Sequence, residues 1–212
     1  MGVLMKISKI RLYAFVQILL LFSAMQADLD HICAYSNESV AKFRKKTVGI
    51  TSKEAVQYCV AKNLIGSGTV YFDWPVDLCE FWVSSLFGPR THHKVTKHHG
   101  GIDLASYKGT RVKSAAPGKV IKAEEGVVGY GNVIEILHKT GMVTRYGHLD
   151  EIMVQEGDKV ARGEMIGTVG ATGNARGKND PSHLHFEILN KEGKRVNPLD
   201  HLYCSEVAFE QK

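Results

Sequence analysis

The chain has 212 residues and a mass of 23.5 kDa, with 44% hydrophobic and 23% charged residues. This is the balance of a globular protein and excludes a disordered one. Of the formal net charge of +5, three units come from Lys6, Lys9 and Arg11; without them 24 basic residues face 22 acidic ones, a net of +2, which gives no electrostatic reason for a nucleic-acid partner.

Residues 1–27 contain no acid and read as a signal peptide. Lys6, Lys9 and Arg11 form a positive leader, and Leu12–Met25 is an apolar run of 14 residues broken only by Gln17 and Ser23. A comfortable membrane span needs about 20 such residues, so the run fits an exported leader cleaved after Ala27. If it stays uncleaved it is a membrane anchor; in both cases the remainder is exported, to the periplasm or the cell exterior. Cys33, Cys59, Cys79 and Cys204 then lie in an oxidising compartment, where an even count suggests two disulfides. The favoured pairing is Cys33–Cys59 and Cys79–Cys204.

Residues 28–68 read as a small helical segment. Thr51-Ser-Lys-Glu54 is a capping-box pattern, followed by Ala55, Val56, Cys59 and Val60 at helical spacing. An earlier helix is expected over about 37–46. Gly66-Ser-Gly68 closes the segment, and residues 69–212 form the main domain.

Beyond Val70 the pattern turns to short alternating runs between glycines: Gly118–Ala123, Asn132–His138, Met142–His148 and Leu184–Leu189. With 21 glycines and 5 prolines, the expected fold is mainly β, a compact antiparallel sheet or sandwich preceded by the helical segment.

Five of the ten histidines fall in three short segments: His98-His-Gly-Gly-Ile-Asp103, Tyr146-Gly-His-Leu149 and His183-Leu-His-Phe-Glu187. His183 and His185, two apart on a strand, project from one face. His99 and Asp103 are separated by two glycines that allow a sharp turn. Two imidazoles and one carboxylate supply three ligands for zinc and leave a fourth position open, as catalytic sites do. His148 and His183 remain for proton chemistry.

These segments resemble the lysostaphin/LytM-type zinc metallopeptidases, which cleave peptidoglycan peptides. The resemblance also rests on Trp74-Pro-Val76, Ser85-Leu-Phe-Gly-Pro-Arg90, Ala116-Pro-Gly-Lys-Val120, Gly129-Tyr-Gly-Asn-Val-Ile134, Gly157-Asp-Lys-Val160 and Gly167-Thr-Val-Gly-Ala-Thr-Gly173, in order, over about 60% of the chain. It implies a LytM-like domain with one zinc ion per chain on His99, Asp103 and His185. It implies catalytic roles for His148 and His183, with His183 as general base and His148 stabilising the oxyanion, or the two roles exchanged or shared. Glu187 is either an acceptor orienting a ligand or a surface glutamate. Tyr146 is expected to point with His148 and line the groove, or to pack. The implied partner is peptidoglycan peptide, and the expected state is a monomer. Some relatives on this fold have lost ligands and only regulate other wall hydrolases; all five residues are present here. The stretch Asn174–Ser182 is longer and more polar than the family's usual turn and is expected to edge the groove. His92, His93 and His98 are expected to be solvated.

Overall fold

The computed structural model describes residues 50–51, 72–78, 80–92, 95–176 and 180–202. The leader, both expected helices and all four cysteines lie outside the described residues. Among the described residues no helix is long and apolar enough to cross a membrane.

The described residues form thirteen strands: β1 (Ile50–Thr51), β2 (Trp82–Ser85), β3 (Gly88–His92), β4 (Val95–His99), β5 (Ile102–Ala105), β6 (Arg111–Lys113), β7 (Gly118–Val127), β8 (Gly131–His138), β9 (Val143–Ile152), β10 (Lys159–Val160), β11 (Met165–Val169), β12 (His183–Leu189) and β13 (Arg195–Val196). A 3-10 turn, Pro198–Asp200, follows. Eleven strands make one antiparallel sheet whose main path runs β1-β2-β5-β12-β9-β8-β7-β10, with β11 and β6 reached from β9 and β13 beside β12; β3 and β4 pair as a separate hairpin. The four strands expected between residues 118 and 189 are β7, β8, β9 and β12, each within a few residues of its expected ends.

Period-two alternation separates two faces. On β12, Leu184, Phe186 and Ile188 enter the apolar core, joined by Ile102 and Leu104 of β5, Ile134 and Ile136 of β8 and Tyr146 of β9. The alternate positions, His183, His185 and Glu187, face the other side. The register sets His185 opposite Asp103 on one flank and opposite Gly147 on the other, with Glu187 opposite Arg145. Three adjacent strands thus carry one polar row above a continuous hydrophobic layer.

Candidate metal centre

Asp103 and His185 project from neighbouring strands, and His99 arrives from the end of β4. Two glycines turn the chain from β4 into β5. The approach there is close: a Cβ built on Gly101 would lie 2.2 Å from the Phe186 carbonyl oxygen, and one on Gly100 2.4 Å from Arg195 Cδ. Only residues without a side chain let this turn lie against β12.

The three side chains converge. His185 Nδ1 lies 2.7 Å from Asp103 Oδ1, and His99 Nε2 lies 3.0 Å from that oxygen and 3.1 Å from His185 Nδ1. All three residues are buried, and among the described residues they are the one group of His, Cys, Asp or Glu gathered for a metal. Each imidazole is fixed from behind. His99 Nδ1 donates to the Leu86 carbonyl at 2.8 Å, which leaves the Nε2 lone pair facing inward. His185 Nε2 donates to Glu187 Oε1 at 3.1 Å. Arg90 Nη1 reaches the second oxygen of Asp103 at 3.3 Å and Ser85 Oγ at 3.0 Å, so Oδ1 is the oxygen left to the centre.

The electrostatics call for a cation here. Burial opposes the charged Asp103 carboxylate, yet its contacts with His185 first and His99 second outweigh that and hold the group well below the usual carboxylate range. Burial likewise opposes a charged His185, but Asp103 and Glu187 on its two sides raise its pKa. Two nitrogens and one oxygen, buried and mutually within 3.1 Å, suit a divalent metal of the zinc type. A metal there meets the same demand for positive charge that otherwise draws a proton.

His148 and His183 flank this cluster. Their ring centroids are 4.7 Å apart, His148 lies 5.8 Å from His185, and His183 Nε2 is 3.8 Å from Asp103 Oδ1. Both donate through Nδ1 to a carbonyl, His148 to Thr172 and His183 to Pro181, each at 2.7 Å. In the neutral form both therefore keep the Nε2 lone pair on the side away from that carbonyl. Burial, with the neighbouring His183, pulls His148 down to about 4. The acceptor of His148 is itself built in. Thr172 Oγ1 donates to the Leu149 carbonyl at 2.8 Å and accepts from Asn132 N at 2.9 Å. Gly131 and Gly173 pack too tightly for any Cβ between the two loops.

For Tyr146 the structure bears out the packing alternative and corrects the expectation that it points with His148. It does not line the groove: it is fully buried, with its ring 5.4 Å from Phe186 and its hydroxyl bonded to Ala115 N and Thr144 Oγ1. Simple alternation would put residues 146 and 148 on one face, but His148 has φ of 62°, alone among described non-glycine residues in the left-handed region. That conformation costs roughly 1–2 kcal/mol, and it turns His148 onto the polar face that Gly147 and His185 share.

Glu187 is not a surface glutamate; it is 2% exposed. Burial opposes its charge, but His185 first, then Arg145 and Arg195, bring its pKa down to about 2. Ser85, Arg90 and the Leu86 carbonyl carry no signal of their own in the sequence beyond the matched Ser85–Arg90 stretch. Tyr130, Arg145 and Arg195 around Glu187 escape sequence reasoning because they lie 57, 42 and 8 residues from it. His98 is exposed, edge-on to Phe87 with ring centroids 5.0 Å apart. His93 and the His92 side chain lie outside the described part. Of the polar loop, Pro181 supplies the carbonyl for His183, and Asp180 accepts from Ser182 N at 2.8 Å.

The antiparallel sheet thus carries a buried His-Asp-His cluster that could hold one metal ion, flanked by two further histidines. The family model for peptidase family M23 matches residues 97–198. The chain is 30% identical to a mutant form of the catalytic domain of the prophage-encoded M23 protein EnpA from Enterococcus faecalis, covering 63% of this chain and 96% of that one with a TM-score of 0.51. This chain belongs to peptidase family M23. A zinc-containing peptidase from Vibrio cholerae superposes with a TM-score of 0.55 at 36% identity, over 62% of this chain and 40% of that one. Among curated relatives, the peptidoglycan DD-endopeptidase ShyA of Vibrio cholerae is 39% identical over 129 residues, 59% of this chain and 28% of ShyA. The murein hydrolase activator NlpD of Salmonella dublin is 41% identical over 102 residues, 48% of this chain and 26% of NlpD. The chain therefore spans about a quarter of the length of these curated relatives.

Proposed function

We propose that this chain is an exported zinc endopeptidase that hydrolyses peptide bonds in peptidoglycan cross-links or stem peptides. The observation that carries the proposal is the convergence of His99 Nε2, Asp103 Oδ1 and His185 Nδ1 within 3.1 Å of one another, with His148 and His183 beside them. Likeness to ShyA and to a zinc-containing peptidase supports the substrate class and the metal.

In this reading His99, Asp103 and His185 hold one zinc ion. When bound, the ion would supply Lewis acidity for a peptide carbonyl and for water. The protein's residues do the rest. His183, held by the Pro181 carbonyl, accepts a proton from water at Nε2 and returns it to the leaving amine. His148, held by the Thr172 carbonyl, stabilises negative charge on the substrate carbonyl oxygen. That second role needs a proton on His148 Nε2, and burial keeps His148 neutral at rest. Since both rings are held through Nδ1 and free at Nε2, the two roles can also be exchanged or shared. Arg90 and Leu86 keep Asp103 and His99 aimed at the metal.

A second reading, a regulator of other wall hydrolases, is favoured by the likeness to NlpD. The test for both is metal content and release of peptides from purified peptidoglycan by the full chain, beside His185→Ala. About one zinc per chain with peptide release, both lost in the variant, is the expected result. Zinc without release from any wall type would favour the regulator. No zinc in a folded protein would refute the metal reading.

A further inference from the structure

Behind the metal centre lies a second polar layer. Glu187 Oε1 accepts from His185 Nε2 at 3.1 Å, from Tyr130 Oη at 2.9 Å and from Arg195 Nε at 2.9 Å. Its Oε2 accepts from Arg195 Nε at 3.0 Å and from Arg145 Nη1. The donors are tied to one another. Arg145 Nη1 and Arg195 Nη2 both reach Tyr130 Oη, at 3.1 and 2.8 Å, and the Arg145 guanidinium stands 5.0 Å over the Tyr130 ring. Arg145 is braced in turn by Glu135 at 2.9 Å. The Tyr130 ring also lies 5.8 Å from that of His185.

A lone Glu187 carboxylate could turn about its last torsion and face Oε1 elsewhere. With donors on both oxygens it has one orientation, and that orientation presents Oε1 to His185 Nε2. The Nε2 proton is then committed to Glu187, and Nδ1 is left as the metal-facing nitrogen. The layer reaches the first ligand segment as well, because Gly100 packs on Arg195 Cδ and Glu187 Oε1. A two-arginine, one-tyrosine cage around a buried carboxylate is more than its neutralisation requires.

Resting on the metal reading above, we propose that Tyr130, Arg145 and Arg195 are positioning residues for the metal: they lock the Glu187 carboxylate, which locks the His185 tautomer, and so set zinc affinity without touching the ion. Tyr130 joins the strand carrying Glu187 to the loop whose carbonyl receives the backbone N–H of His148, at 2.7 Å. One hydroxyl thus ties the metal side of the site to its proton side.

The test is the zinc dissociation constant of the full chain, measured by competition with a chelator. Tyr130→Phe removes one oxygen and leaves the ring. Arg195→Ala removes a half-exposed side chain, and Arg195→Lys keeps the charge without the fork. Outer-layer partners of metal ligands are worth roughly 10–100-fold in affinity, so Tyr130→Phe and Arg195→Ala should each weaken zinc binding about tenfold, with Arg195→Lys between alanine and wild type. In a Glu187→Gln background the Tyr130→Phe loss should shrink, because the two act through one carboxylate. Affinity within about twofold of wild type for Tyr130→Phe, or an undiminished loss in the Glu187→Gln background, would overturn the proposal. Arg195→Ala protein that fails to fold leaves Tyr130→Phe and Arg195→Lys to decide. Wild-type protein that binds no zinc would instead remove the metal reading on which the proposal rests.

Discussion

Replacing Gly101 with alanine tests whether the turn between the first two ligands is a matter of contact or of flexibility. The new Cβ would lie 2.2 Å from the Phe186 carbonyl oxygen, against an ordinary contact of at least 3.4 Å, so β5 and β12 must part by about 1.2 Å. The obstacle is backbone and cannot swing aside. Overpacking of this kind costs typically about 1–3 kcal/mol, and a backbone obstacle belongs at the upper end. For a chain of this size that is a fall in melting temperature of roughly 6–12 °C. The separation falls one ladder position from the His185–Asp103 pair, whose ligand atoms are 2.7 Å apart. Zinc affinity should therefore drop at least about tenfold together with stability. Gly157→Ala is the contrast. Its φ is +100° but no atom lies within 4 Å, so it should lose about 1–2 kcal/mol from backbone strain alone and keep wild-type zinc affinity. The assays are thermal unfolding and chelator competition on both variants. Gly101→Ala with unchanged melting temperature and zinc affinity would refute the close-approach reasoning.

Other consequences can be measured directly. His148→Ala and His183→Ala should each retain zinc, since neither is a ligand, while peptide release falls roughly a hundred- to ten-thousandfold. Zinc binding should weaken as pH falls, because His185, whose pKa Asp103 and Glu187 raise against the effect of burial, must give up a proton to bind; zinc titrations at pH 7.5 and 5.5 check this, and equal affinity at both would contradict the ligand set. His138, buried and bonded to the Pro117 carbonyl and Thr144 Oγ1, has its pKa lowered from 6.5, mainly by burial. Its contribution to stability is thus full above the unfolded value and is lost as pH drops below it. His138→Gln should reduce the loss of melting temperature between pH 7.5 and 5, and identical slopes would show that His138 does not titrate with unfolding.

The readable part of this site was the part written as local pattern. His183 and His185 share a face because strands alternate, and the alternation of Leu184–Leu189 is plain in the text. The strands around Asn132–His138 and Met142–His148 were legible for the same reason. Between the groove and the core for Tyr146 the sequence could not decide, because a single residue, His148, leaves the extended region and so does not share its face. The anchors of the imidazoles were illegible for a different reason. The carbonyls of Leu86, Thr172 and Pro181 belong to the backbone, and any residue type supplies one. The cage around Glu187 gathers Tyr130, Arg145 and Arg195 from three elements, and only the register of β12 against β9, with the fold of β13 back onto β12, brings them together.

That register also divides β12 into two functions that substitution can separate. Phe186 is fully buried in the apolar core beside Tyr146, and Phe186→Ala should cost about 3–5 kcal/mol through lost burial and the cavity left behind. Its loss acts on folding, with or without zinc. His185, one residue away on the opposite face, would on the proposed metal reading stabilise the fold chiefly through the ion, since its own burial next to two carboxylates carries a desolvation cost. Ligand binding to the native state adds about 2.7 kcal/mol at a hundredfold excess over the dissociation constant. Saturating zinc should therefore raise the melting temperature of the wild type and of Phe186→Ala by similar amounts, and leave that of His185→Ala almost unmoved. A zinc-dependent rise in His185→Ala equal to that of the wild type would mean that the stabilising ion sits elsewhere, and the polar face of β12 would lose its claim to the chemistry.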